Sequence, residues 1–251
     1  MTGGVMSHGL RVVALGFVAF ASSLFAVGAQ AIVGALSGQY QTTHAGSAAY
    51  VIPIDLPPGI GVKPSLSLVY DSNAGEGIAG LGWRLEGGGA ITRCPATRHQ
   101  DGFFDPVDFD DNDRFCLDGQ RLVAVKGVYG QDGTEYRTEI DTYARIISHG
   151  DSYDSGGQRT GPEYFEVRLK SGEIKVFGQD PRSRVRIGNG SVLTWNLSQV
   201  RDRFDNRILY DYYNSALDDP GKGWVEVYLR GIEYSATKKE APLVHVALKH
   251  V

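Results

Sequence analysis

The sequence predicts an all-β protein made of many short antiparallel strands. Three observations carry this. Glycine accounts for 33 of 251 residues, roughly twice the ~7% of an average chain. Many of these glycines stand in turn pairs such as Asp118-Gly119, Asp132-Gly133, Ser171-Gly172 and Asn189-Gly190. The segments between the pairs are rich in β-branched and aromatic residues or alternate in polarity. After an apolar N-terminal run, no stretch of 12 or more residues keeps the i, i+3, i+4, i+7 spacing of an amphipathic helix. Antiparallel pairing is expected because the connections are too short for helical crossovers.

Composition excludes several classes. Hydrophobic residues make up 42% and charged residues 22%, enough apolar surface for a core and against a disordered tail. The glycines have no three-residue period, which excludes collagen. A net charge of -4 and a pI near 5.9 argue against a nucleic-acid binder working through bulk charge. Two cysteines are too few for a disulfide-built miniature fold.

Val12–Ala29 is an uncharged run of 18 residues, preceded by Arg11 and followed by the small-x-small site Ala29-Gln30-Ala31. This is the layout of a secretory signal peptide over residues 1–31, cleaved after Ala31. The competing reading is a retained anchor. No later run is long enough to span a membrane, so no span is expected once the signal is removed. Export permits a disulfide between Cys94 and Cys116; two buried thiols are the alternative.

Residues 32–46 read as an exposed lead-in, and residues 47–251 as one β-rich domain. Ser47–Ile54 is a strand candidate closed by Pro57-Pro58-Gly59. In Ser65–Tyr70, alternation puts Leu66 and Leu68 on one face and Ser65, Ser67 and Val69 on the other. Gly82–Leu85 and Ala90–Cys94 follow, then an acidic loop over Asp101–Asp113. Arg114–Val125 reads as a hairpin around Asp118-Gly119. Further strands are expected at Glu135–Ile147, Tyr164–Leu169, Ile174–Phe177, Val192–Val200, Arg207–Tyr213, Trp224–Tyr234 and Leu243–Leu248. Residues 243–251 resemble a strand in progress, which reads as a truncated C-terminus.

Candidate chemistry is sparse. Gly75–Gly80 matches G-x-G-x-x-G, but Gly82-Trp83-Arg84-Leu85 and three more glycines follow instead of a helix, so a glycine turn between strands is expected. Asp108, Asp110 and Asn112 alternate as in calcium loops. Asp113 stands where an EF-hand needs glycine and Gly119 where it needs glutamate. The alternatives left are an irregular calcium loop and a solvated acidic turn. His44, His99, His149, His245 and His250 show no zinc-ligand spacing. Glu163 and Glu166 face opposite sides of a strand. Glu135 and Glu139, near Arg137 and Arg145, read as a surface ion-pair ladder. No catalytic residue and no cofactor is expected.

Longer runs are more distinctive: YVIPIDLPPG (50–59), PSLSLVY (64–70), GLGWRL (80–85), ITRCP (91–95), DRFCLDGQRLV (113–123) and GTEYRTEID (133–141). Together they resemble the N-terminal domain of the SpvB/TcaC family, the virulence-plasmid B proteins of Salmonella and the B components of insecticidal toxin complexes. The resemblance runs from about Gly46 to about Tyr213. DRFDNRILYDYY (202–213) is similar to the Tyr-Asp strands of RHS repeats.

The resemblance implies a segment of a cocoon-like β shell that encloses or presents a C-terminal cargo. It implies protein partners: toxin-complex or RHS components, or the cargo itself. The signal peptide, which toxin-complex components often lack, suits a secreted or cell-surface location, although the family is associated with the cytoplasm as well. The actin ADP-ribosyltransferase of the Salmonella-type relative depends on a Glu-x-Glu pair, and the chain has no Glu-x-Glu. A non-catalytic scaffold is therefore the first reading. A carbohydrate-binding module or enzyme using Trp83, Trp195, Trp224 and tyrosines on a β surface is the second.

Overall fold

The computed structural model describes residues 38–42, 46–77, 79–221, 224–237 and 239–249. The signal segment, its cleavage point, His44 and His250 lie outside them. The described chain is all-β, and its ladders are antiparallel. Its helices are single turns, among them α1 (Arg98–Asp101) and α2 (Ser215–Asp218).

The N-terminal part forms a small sheet. β1 (Gln39–Thr42), β2 (Ala48–Pro53) and β3 (Ser67–Asp71) lie side by side, β4 (Glu76–Gly77) and β5 (Gly80–Leu81) make a minimal hairpin, and β6 (Trp83–Glu86) returns along β3. The G-x-G-x-x-G stretch is thus a turn between strands. β1 arises inside the lead-in: its four side chains are exposed, but its backbone pairs with β2, a contact that side-chain patterning does not reveal. The face assignment of 65–70 also changes. Leu66 precedes the strand and packs into the core near Leu56, and within β3 it is Val69 that is buried.

The chain then runs through β7 (Ala90–Cys94), β8 (Arg114–Leu117), β9 (Gln120–Lys126), β10 (Glu135–Thr138) and β11 (Arg145–His149). It continues with β12 (Ser152–Tyr153), β13 (Arg159–Gly161), β14 (Tyr164–Arg168), β15 (Ile174–Phe177), β16 (Arg184–Arg186) and β17 (Val192–Arg201). β8 and β9 join through Asp118 and Gly119, both at positive φ (48° and 82°), the geometry of a two-residue hairpin turn. The single strand expected at Glu135–Ile147 is two strands, β10 and β11. Asp141 accepts from the Tyr143 N–H at 2.7 Å and Thr138 Oγ1 donates to the Ile140 carbonyl at 2.8 Å, which curls the chain between them.

Eight of these strands close a barrel in the order β15-β14-β11-β10-β9-β8-β7-β17, with β15 pairing back onto β17. An eight-stranded barrel has an interior just wide enough for side chains, and here aromatic rings occupy it. Phe115, Phe165 and Trp195 meet edge to face at centroid distances of 5.2 to 5.5 Å, with Tyr136 beside them. Each such ring contributes about 1.5–3 kcal/mol through burial, and each favourable pair adds about 0.5–1.5 kcal/mol.

β17 then leads into β18 (Arg207–Asn214), β19 (Val227–Ala236) and β20 (Val244–Ala247), an outer sheet continuous with the barrel. Its inner face, with Ile208, Ile232 and Tyr234, joins a common core with Leu56 and Leu66. The Tyr234 hydroxyl donates to the Pro57 carbonyl at 2.6 Å, and the Ile60 N–H donates to Ser235 Oγ at 2.8 Å. These contacts pin the segment after β2 onto the outer sheet.

Cys94 and Cys116 are joined across β7 and β8, with Cα atoms 6.1 Å apart and a separation of 22 residues. Cross-linking a loop of that length removes about 3 kcal/mol of unfolded-state entropy. Cys94→Ser is therefore expected to lower stability by about 3 kcal/mol in urea unfolding under oxidising conditions. Equal midpoints for variant and wild type would refute this.

Candidate functional site

The most organised polar constellation is the loop between α1 and β8. Thr97 caps α1 by accepting from the Gln100 N–H, and Gly102 at φ 79° ends it. The Asp101 carboxylate receives Arg114 Nε at 2.8 Å and Arg121 Nη1 at 3.2 Å. Burial works against its charge, but the Thr97 N–H, which donates to it at 2.8 Å, and these two arginines hold its carboxyl below the usual range. Asp105 pairs backbone to backbone with Ala96, bringing its side chain back beside the loop.

Arg93 anchors the far end of the loop. It is buried at the barrel mouth over the Phe109, Phe115 and Trp195 rings, 5.2 to 5.7 Å from their centroids. Its Nε donates to the Val192 carbonyl at 2.7 Å, its Nη1 to Asp113 at 2.8 Å, and its Nη2 to the Thr160 carbonyl. Asp113 also accepts from the N–H groups of Asp108 (3.1 Å) and Phe109 (2.9 Å). Burial pushes the Asp113 carboxyl up and the Arg93 guanidinium down, each opposed by the partner's charge. The bonds around Asp113 bend the chain through Phe109, whose φ is 72°.

That bend converges three carboxylates. Asp105, Asp108 and Asp110 each place an oxygen within 4.8 Å of the others'. Asn112 does not join them: its N–H and Nδ2 donate to Asp110 at 2.7 and 3.3 Å, so its donor side faces the cluster. Asp105, which the alternating pattern misses, takes its place. The Asp105 carboxyl is raised by burial, with the charges of Asp108, Asp110 and Asp113 adding. Beside the cluster, a cleft of about 290 Å³ is lined by Asp108, Asp110, Asp154, Arg159 and Ser191.

A groove of about 690 Å³ is lined by the small sheet, by β15 and β17 of the barrel and by β18. Lys63, Lys175, Glu86, Glu173 and Asp118 line it together with Tyr210, whose hydroxyl is pushed up to about 12 by burial. Its floor is the Gly87-Gly88-Gly89 run. A Cβ at Gly88 would lie 2.7 Å from Leu197, and one at Gly89, where φ is 80°, would lie 2.5 Å from Asp118. Glycine is what lets the backbone cross so close to β17.

The remaining carboxylate candidates are engaged with arginines. Glu163 pairs with Arg184, Glu166 with Arg168 and Arg201, and Glu135 with Arg137 and Arg145. Glu139 lies past the end of β10 and accepts from Gln100 Nε2. His149 stacks on Tyr164, and His245 sits 3.1 Å from Glu233. The three tryptophans do not form one platform. Trp195 is fully buried, with Nε1 donating to the Glu163 carbonyl at 3.0 Å. Trp83 packs on Tyr70 at 5.3 Å, and only Trp224, 66% exposed, presents its ring to solvent.

A family model described as "SpvB: Salmonella virulence plasmid 65kDa B protein" matches residues 42–241. No curated protein sequence matches the chain. Among solved structures the fold is similar to TcdB2-TccC3, with a TM-score of 0.60 at 20% identity over 79% of this chain and 10% of that one. It is also similar to the Tc holotoxin pore of Photorhabdus luminescens (0.59, 18%, 80% and 10%). A third is the N-terminal domain of the effector SpvB from Salmonella typhimurium (0.52, 20%, 73% and 63%). The chain spans about a tenth of the length of the toxin-complex chains it matches. With a family model covering residues 42–241 and the same all-β architecture in those solved folds, the chain belongs to the SpvB family.

Proposed function

We propose that the chain is an exported, non-catalytic shell module of a toxin-complex-type protein, one that encloses or presents a polypeptide and works through protein partners. The observation that carries this is the coincidence of the family match, residues 42–241, with a fold recurring inside much longer toxin-complex chains. A barrel plugged by aromatic rings leaves its outer surfaces and edges as the working parts, which suits a wall segment. Export rests on the apolar run Val12–Ala29 and the Ala29-Gln30-Ala31 site. No helix among the described residues is long and apolar enough to cross a membrane.

The sugar-binding alternative has one exposed tryptophan to stand on, Trp224, whereas stacking platforms use several rings. Co-expression of the full chain with an RHS-repeat polypeptide of the toxin-complex type separates the two readings. Elution as one complex is expected, with no glycan-array signal. Separate elution, together with saturable glycan binding lost in Trp224→Ala, would overturn the proposal.

A further inference from the structure

We propose that Asp105, Asp108 and Asp110 form a calcium-binding site. Three carboxylate oxygens converge within 4.8 Å, and among the described residues none of the three carboxylates has an arginine, lysine or histidine in ion-pair range. The neighbouring cations are committed elsewhere. Arg114 is bonded to Asp101, Arg93 to Asp113, and Arg159 to Asp151, Asp111 and the Gly130 carbonyl. Like charges held this close repel unless a cation stands between them.

A second, independent observation points to a ligand. Ser191, fully buried, lines the cleft that Asp108 and Asp110 also line, and its Oγ has no hydrogen-bond partner. Asp105 Oδ2 is likewise shielded from water and unpartnered. Orphaned buried oxygens are rare in folded proteins and call for an ion or an ordered water. An all-oxygen donor set without sulfur or nitrogen selects a hard cation. An irregular loop with three carboxylates suits calcium, which takes 6–8 oxygens in flexible geometry, better than magnesium, which demands a near-ideal octahedron. The carboxylates supply the charge, and water and the Ser191 hydroxyl supply neutral oxygens.

The loop is held ready for the ion. Arg93 and Asp113 fix the bend at Phe109, and the Ala96–Asp105 bridge fixes the other side. Binding therefore does not have to order a free segment, and the cation would tie the loop to the barrel mouth.

Isothermal titration of CaCl2 into the full chain, previously stripped with EDTA, tests this. One saturable event per chain is expected, with Kd on the order of 10⁻⁴–10⁻³ M. Asp105→Asn and Asp108→Asn should each weaken it at least about tenfold. Glu86→Gln, on β6 and paired with Arg84, should leave it unchanged. The pair of variants guards against one of them misfolding, and far-ultraviolet circular dichroism checks both. No saturable heat with wild type, equal affinity in the cluster variants, or equal affinity for MgCl2 would overturn the assignment.

Discussion

Arg93→Met is expected to lower the stability of the chain by about 3–5 kcal/mol, read as a shift of the urea midpoint. The guanidinium is nearly inaccessible and satisfies the carbonyls of Val192 and Thr160 as well as the carboxylate of Asp113. Methionine fills a similar volume but leaves Asp113 charged, buried and served only by two backbone N–H groups. Uncompensated charge in a low-dielectric site is the dominant penalty, well above the ~1 kcal/mol of an ordinary hydrogen bond. The double variant Arg93→Met with Asp113→Leu should recover part of the loss, because it removes the orphan charge but leaves the Val192 and Thr160 carbonyls and the Asp108 and Phe109 N–H groups without these partners. A loss under about 1 kcal/mol for the single variant would show that water reaches Asp113.

Trp195→Ala is the second large effect, also about 3–5 kcal/mol. The indole touches Phe115 and Phe165 edge to face and hydrogen-bonds the Glu163 carbonyl. Its other side rests on Gly178, where a Cβ would lie 2.3 Å from the ring at Cδ1 and φ is 78°. The backbone there is as close as it can come, so the cavity left by alanine cannot close by collapse from that side. Thermal unfolding should drop accordingly; a midpoint within a degree or two of wild type would contradict this packing.

Local chemistry was readable in the sequence; long-range closure was not. The Asp118-Gly119 turn, β7 and β15 follow from turn pairs and β-branched runs, which act over a few residues. Barrel closure rests on Ile174 facing Arg201 and Phe177 facing Leu197, pairings that depend on where six other strands lie. β12, β13 and β16 have two or three residues each, too few for a period. At the acidic loop, the alternation of Asp108 and Asp110 was visible, but Asp105 enters through its bridge to Ala96. Ser191 comes from a turn far along the chain. The role of Arg93 was hidden too: on the sequence it is one charge in a strand, and only the closed barrel makes it a plug.

β17 is a party wall. Its first half is hydrogen-bonded to β7 and β16, and its second half to β15 and β18. The barrel and the outer sheet therefore share one ten-residue strand, which β18 joins along Gln199–Arg201 while β15 holds the same stretch from the other side. Both also bury side chains in one common core, so loosening either exposes apolar surface of the other. Load applied to the outer sheet would pass along β17 into the aromatic core rather than into a hinge. Most domain boundaries are compliant linkers; here the junction is a continuous strand backed by a common core, so the chain should respond to pulling or heating as a single body.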